Sequence, residues 1–222
     1  MNKMQSMKNQ QSGFTLVEIA IVLVIIGLLL GGILKGQELI NSAKVKGLAQ
    51  DFRTVQTALY GYQDRYKAIP GDHGTANPAI TGATNATTPS GKIGNGQLDG
   101  TWDSLVVTDE SRLFWQHVRL AGFLSGPTDT AVAAEYTPKN AIGLQMGISS
   151  TLQMTLPTAM TGTYNICSTG ILGKFAKQLD TQLDDGNTQT GSFRVAAIAA
   201  PTTALATAGV DDATSYLVCL TF

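Results

Sequence analysis

The chain has 222 residues, enough for one sizeable core or two small ones, and its charged fraction is only 14%. Gly, Thr, Ala and Asn fill the stretches between structured segments, a composition that suits a secreted or surface protein better than a cytosolic enzyme. Residues 1–13 carry two bases and no acid, 14–67 six bases and four acids, and 68–222 seven bases against twelve acids, so the last segment is a poor match for a phosphate backbone and no nucleic-acid partner is expected.

The first feature along the chain is a short basic leader with Lys3 and Lys8, followed by an apolar run from Phe14 to Leu34. Those 21 residues would form a helix about 31 Å long, close to the roughly 30 Å hydrocarbon thickness of a bilayer. An ordinary secretory signal has a shorter apolar stretch and a small-x-small cleavage site after it. Here Lys35-Gly36-Gln37-Glu38 follows instead, so the segment is expected to be retained as a membrane anchor. The flanking charges leave orientation open, with Lys3 and Lys8 before the run and Lys35, Lys44 and Lys46 after it.

Glu18 is the only charge inside that run. A carboxylate in hydrocarbon costs roughly 2.5–3.5 kcal/mol on insertion scales, which makes an intramembrane acid a candidate functional residue. Either it snorkels to the headgroups from near the helix end, or it needs a cation. Residues 14–34 supply no cation unless a cut exposes a new α-amino group nearby.

Gly13-Phe14-Thr15-Leu16-Val17-Glu18, between a basic leader and an apolar run, resembles the processing site of type IV prepilins and type II secretion pseudopilins. The resemblance implies that a prepilin peptidase cuts between Gly13 and Phe14 and that Phe14 becomes N-methylated. It also implies that Glu18 matches the family glutamate, which pairs with the new N-terminus of a neighbouring subunit during filament assembly. An ammonium and a carboxylate entering a dry core together avoid the penalty of an unpaired buried charge.

Past the apolar run, Leu48, Phe52, Val55, Leu59, Tyr62 and Tyr66 recur at helical spacing, with Lys46, Gln50, Asp51, Arg53, Gln56, Gln63, Asp64 and Arg65 on the other faces. The stripe predicts one continuous helix over 14–67, its second half packed on a globular head or, as the lesser reading, in a coiled coil. Pro70-Gly71 should stop it. Gly27, Gly31, Gly32 and Gly36 each weaken a helix by about 1 kcal/mol relative to Ala, which suits close helix–helix approach or a segment that unwinds on assembly. Some major pilins have a proline in this region, where this chain has Lys35; that departure leans toward a pseudopilin or minor subunit.

Residues 68–108 read as loop, and Thr108-Asp109-Glu110-Ser111 as the start of a short helix ending near Gly122. Strands are expected at 142–148, 151–156, 163–167, 193–198 and 216–222, with a helix marked by Leu172, Phe175, Ala176, Leu179 and Leu183. The fold class is therefore α+β: a long N-terminal helix packed on an antiparallel β-sheet head, pilin-like. The expected divisions are a removed leader 1–13, a transmembrane half 14–34, an amphipathic half 35–67 and a head 68–222. The only two cysteines, Cys167 and Cys219, are expected to form a disulfide if the head is exported, and that would place the head outside the cytoplasm.

No catalytic motif appears, and the two histidines, His73 and His117, read as loop and helix-face residues, so an enzyme is not expected. Asp180, Asp184, Asp185 and Asn187 could ligate calcium, as could Asn95, Gln97 and Asp99. Neither group has the EF-hand spacing, and turn chemistry accounts for both, so no cofactor is expected. The expected role is a filament subunit whose partners are copies of itself or other pilins, the prepilin peptidase and inner-membrane assembly machinery. A secretion pseudopilin, a minor pilin with an adhesive surface and a membrane-tethered binding module are the alternatives.

Overall fold

A computed structural model describes residues 15–222, and the side chain of Ala134 is left aside. The chain divides at Ser42/Ala43 into an N-terminal unit and a head unit. Helix α1, Leu16–Tyr66, belongs to both. The head then holds α2 (Ala76–Ala79), α3 (Glu110–Leu120), α4 (Ala133–Tyr136), β1 (Met146–Ser149), β2 (Asn165–Leu172), α5 (Gly173–Leu183), β3 (Phe193–Ala197) and β4 (Ser215–Thr221).

In the N-terminal unit α1 is unbroken through Gly27, Gly31, Gly32, Lys35 and Gly36. Its large apolar side chains are exposed from Leu16 to Ile40, and Lys35 and Glu38 form a 2.7 Å surface ion pair of little energetic weight.

Within the head unit the same helix is amphipathic. Leu48, Phe52, Val55, Leu59 and Tyr62 are at most 3% exposed, so the stripe legible in the sequence is the face that the core covers. Tyr66 packs at the core's edge. The helix ends one residue before Lys67, which takes a left-handed φ of 53° while its N–H donates to the Gln63 carbonyl. Pro70 therefore lies beyond the stop and does not make it.

The sheet order is β1-β2-β4-β3 and every pairing is antiparallel. Period-2 alternation sorts the side chains between two cores. Ile166, Phe193, Val195, Val218 and Leu220 join α1, α3 and α5 in the main one. Cys167, Ala196, Leu217 and Cys219 face the other way and meet Met154, Met160 and Ala204 from the loops. Those loops cover the outer face of the sheet. Trp102 crosses β1 at Gly147, where any Cβ would collide with the Trp102 carbonyl oxygen.

The strand expected at 151–156 does not form. The Thr155 and Leu156 N–H groups donate to the Thr202 carbonyl, and Leu156 accepts from the Ala204 N–H and bridges Thr203 as an isolated pair, because this segment is one of the covering loops and not a ladder member. The strand expected at 142–148 starts four residues late, at Met146, since Asn140 gathers the preceding stretch into a turn by accepting from the N–H groups of Ile142 and Leu144. Short α2 and α4 were not legible in the sequence; at four residues each they carry too little periodicity to see.

Candidate functional site

Thr15-Leu16-Val17-Glu18 folds as a capping box at the start of α1. The Thr15 N–H and hydroxyl both donate to Glu18 Oε2 at 2.8 Å, and the Glu18 N–H donates back to Thr15 Oγ1 at 3.3 Å. Glu18 thus has a local task in addition to the assembly role implied by resemblance: it satisfies orphan donors and lies against the positive end of the helix. The Thr-x-x-Glu spacing carries that capping signal in the sequence itself. Gly13, Phe14 and the leader lie outside the described residues.

Beyond Glu18 the segment offers an unpartnered apolar surface. Leu16 is 91% exposed, and among the described residues nothing outside the adjoining helix backbone lies within 4 Å of a Cβ built on Gly27, Gly31, Gly32 or Gly36. So much exposed hydrocarbon requires an apolar solvent or neighbours of the same kind. Among the described residues one helix is long and apolar enough to span a bilayer; near the chain start, it is a single-pass anchor, with the disulfide-bearing head outside the cytoplasm.

In the head, Cys167 and Cys219 are bonded across directly paired positions of β2 and β4, 52 residues apart in sequence. His117 is fully buried. Its Nδ1 accepts from the Gly71 N–H at 2.9 Å, which leaves Nε2–H to donate to the Thr84 carbonyl at 2.8 Å. One imidazole thus ties two loop backbones to α3. Burial drives its pKa down to about 4, with the Thr84 bond opposing and His73 adding to the shift. His73 Nδ1 pairs with the Tyr62 hydroxyl at 2.8 Å, which attaches the loop after α1 to the helix itself.

The buried carboxyl of Glu110 is the one that sequence reasoning missed. Glu110 accepts from the Asp99 N–H through Oε2, while Oε1 has no hydrogen-bond partner among the described residues, and burial pushes its pKa up to about 7. A Glu at the head of a predicted helix reads as a surface dipole partner, and only the packing of the 68–108 loop over it shows otherwise. Asp180, Asp184 and Asp185 do come together, each presenting an oxygen within 4.8 Å of the others. The Asn187 Oδ1 accepts from the Gln189 N–H. Of the second group, Asn95 Nδ2 donates to Asp99 Oδ2 at 2.8 Å, and Asn95 Oδ1 accepts from the Gln97 N–H. That group is spent on its own turn.

No curated protein matches the chain at a significant level. The prokaryotic N-terminal methylation motif matches residues 8–34, the stretch that contains Gly13, Phe14, Glu18 and the exposed apolar run. That motif leads into one long helix, and the head carries a four-stranded antiparallel sheet; together they match a pilin-like α+β fold.

Proposed function

We propose that the chain is a structural, non-catalytic subunit of a type IV pilus or pilus-like filament. Prepilin peptidase cuts between Gly13 and Phe14, Phe14 is N-methylated, and inner-membrane machinery packs α1 against the α1 of other copies or other pilins. The observation that supports this reading is the methylation motif running directly into a helix segment whose apolar side chains are left uncovered among the described residues. Glu18 pairs with the Phe14 amine of a neighbour, matching charge to charge as the helix enters a dry filament core. A pseudopilus of a type II secretion system is the second reading. It is favoured by one observation, the unbroken course of α1 through Lys35, where some major pilins of the family carry proline.

The test separates assembly from capping. Glu18→Ala removes both the cap and the charge, whereas Thr15→Ala removes the hydroxyl's share of the cap and keeps the carboxylate. Glu18→Ala should insert in the membrane as well as wild type or better, and lose filament incorporation sharply. Thr15→Ala, which costs about 1 kcal/mol of helix stability, should keep most of it. Equal incorporation of Glu18→Ala at equal membrane levels would overturn the charge-registration role. An intact Met1 start in protein sheared from filaments would overturn processing at Gly13.

A further inference from the structure

We propose that the groove between α1 and α3 in the head binds a small zwitterion, an amino acid or dipeptide whose carboxylate meets Arg119 and whose ammonium meets Asp51. The cavity holds about 450 Å³, within the range of small-molecule sites, and every residue lining it belongs to the head unit. Val55, Trp115, Leu124 and Met146 give it apolar walls. Asp51 and Glu135 bring two acids to it and Arg119 and Lys139 two bases, yet among the described residues none of the four takes part in an ion pair. Opposite charges that share a cavity without pairing leave room for a ligand that carries both signs.

Glu135 and Lys139 are exposed, so water satisfies them, whereas Arg119 and Asp51 are half-buried. Arg119 is fixed in place. Its guanidinium lies over the rings of Trp115 and Tyr136, at 5.8 and 5.0 Å from their centroids, and Nη1 donates to the carbonyls of Pro127 at 2.8 Å and Tyr136 at 2.9 Å. Gly126, at a φ of 141°, covers Nε, and a Cβ there would lie 2.8 Å from that atom. Both hydrogen bonds go to neutral oxygens, and Nε has no partner among the described residues, so the cation is positioned but not neutralised. Arg112, 4.8 Å from the centroid of the same Tyr136 ring, likewise forms no ion pair among the described residues and adds positive potential behind the site.

Asp51 is the matching charge on α1. Its Oδ2 accepts from the Ala141 N–H at 2.6 Å, which orients the carboxylate without supplying a cation. Burial raises the pKa of Asp51 and lowers that of Arg119, the sign of two charges partly removed from water with no counter-ion close by. A planar guanidinium fork suits a carboxylate, a carboxylate suits an ammonium, and the apolar walls between them suit a hydrocarbon side chain. Groups already held in position lose little freedom when such a ligand arrives.

The experiment uses the full-length protein in detergent and isothermal titration calorimetry. The probes are phenylalanine and alanyl-phenylalanine, each beside its N-acetyl and C-amide forms. At least one of the two zwitterions should bind saturably, and blocking either of its ends should weaken binding about tenfold or more, as expected when one charged contact is lost. Asp51→Asn keeps an oxygen for the Ala141 N–H, so it should fold; it should bind the zwitterion no better than wild type binds the acetylated form, and leave the acetylated form's affinity unchanged. Arg119→Gln should cancel the advantage of the free carboxylate over the amide. Because Arg119 also holds two loop carbonyls, Asp51→Asn decides the test if Arg119→Gln fails to fold. No saturable binding of either zwitterion up to about 10 mM, equal affinity for free and end-blocked probes, or an Asp51→Asn protein that still prefers the free amine would each overturn the site.

Discussion

Replacing both Cys167 and Cys219 by alanine acts on the unfolded chain and on the outer core at once. With 52 residues separating the cysteines, the chain-entropy model gives about 4 kcal/mol for the closed loop. The two sulfurs also fill the small core beneath the covering loops, beside Met154, Met160 and Leu217, and truncating them leaves a void worth roughly 1–2 kcal/mol in total. A loss of about 5 kcal/mol compares with typical total stabilities of about 5–15 kcal/mol, so the variant should sit near its unfolding threshold at room temperature. Urea titrations of oxidised wild type, reduced wild type and the double variant separate the two contributions, because reduction opens the loop and keeps the sulfur volume. Reduced protein should show a lower midpoint and a steeper m-value, since its denatured state is less compact. Coincident curves for oxidised and reduced protein would refute the loop-closure argument. A double variant matching reduced wild type would refute the packing contribution alone.

His117 binds its proton less readily in the folded head, at about pH 4, than its ordinary 6.5, so stability present above pH 6.5 should be lost as pH falls through that window. Glu110 and Asp180, both raised to about 7, slope the other way between their ordinary values and 7, so the difference between wild type and His117→Asn isolates the imidazole. Parallel pH profiles for the two proteins would contradict its role as the clamp between Gly71 and Thr84. Gly147→Ala should lower the urea midpoint by the equivalent of about 2 kcal/mol or more, because the new Cβ meets a backbone oxygen that cannot turn aside, whereas Gly209→Ala, in open space, should stay within about 0.5 kcal/mol of wild type.

The parts of this protein that rest on local chemistry were legible in its sequence. Gly13 to Glu18 lies within the methylation motif over residues 8–34, the Phe14–Leu34 run declares its solvent, and the stripe from Leu48 to Tyr62 declares a buried face, since helical periodicity and apolar length are properties of consecutive residues. The strands at Phe193–Ala197 and Ser215–Thr221 and the helix Gly173–Leu183 were equally readable, each long enough to show its period. What only tertiary structure decided depends on contacts between distant segments. The covering of the sheet's outer face turned residues 151–156 from a strand into a loop, and no local pattern records that neighbour. Burial of Glu110, His117 and Asp180 reversed the ordinary meaning of polar residues on short helices, because desolvation is set by what folds over a side chain and not by the residues beside it.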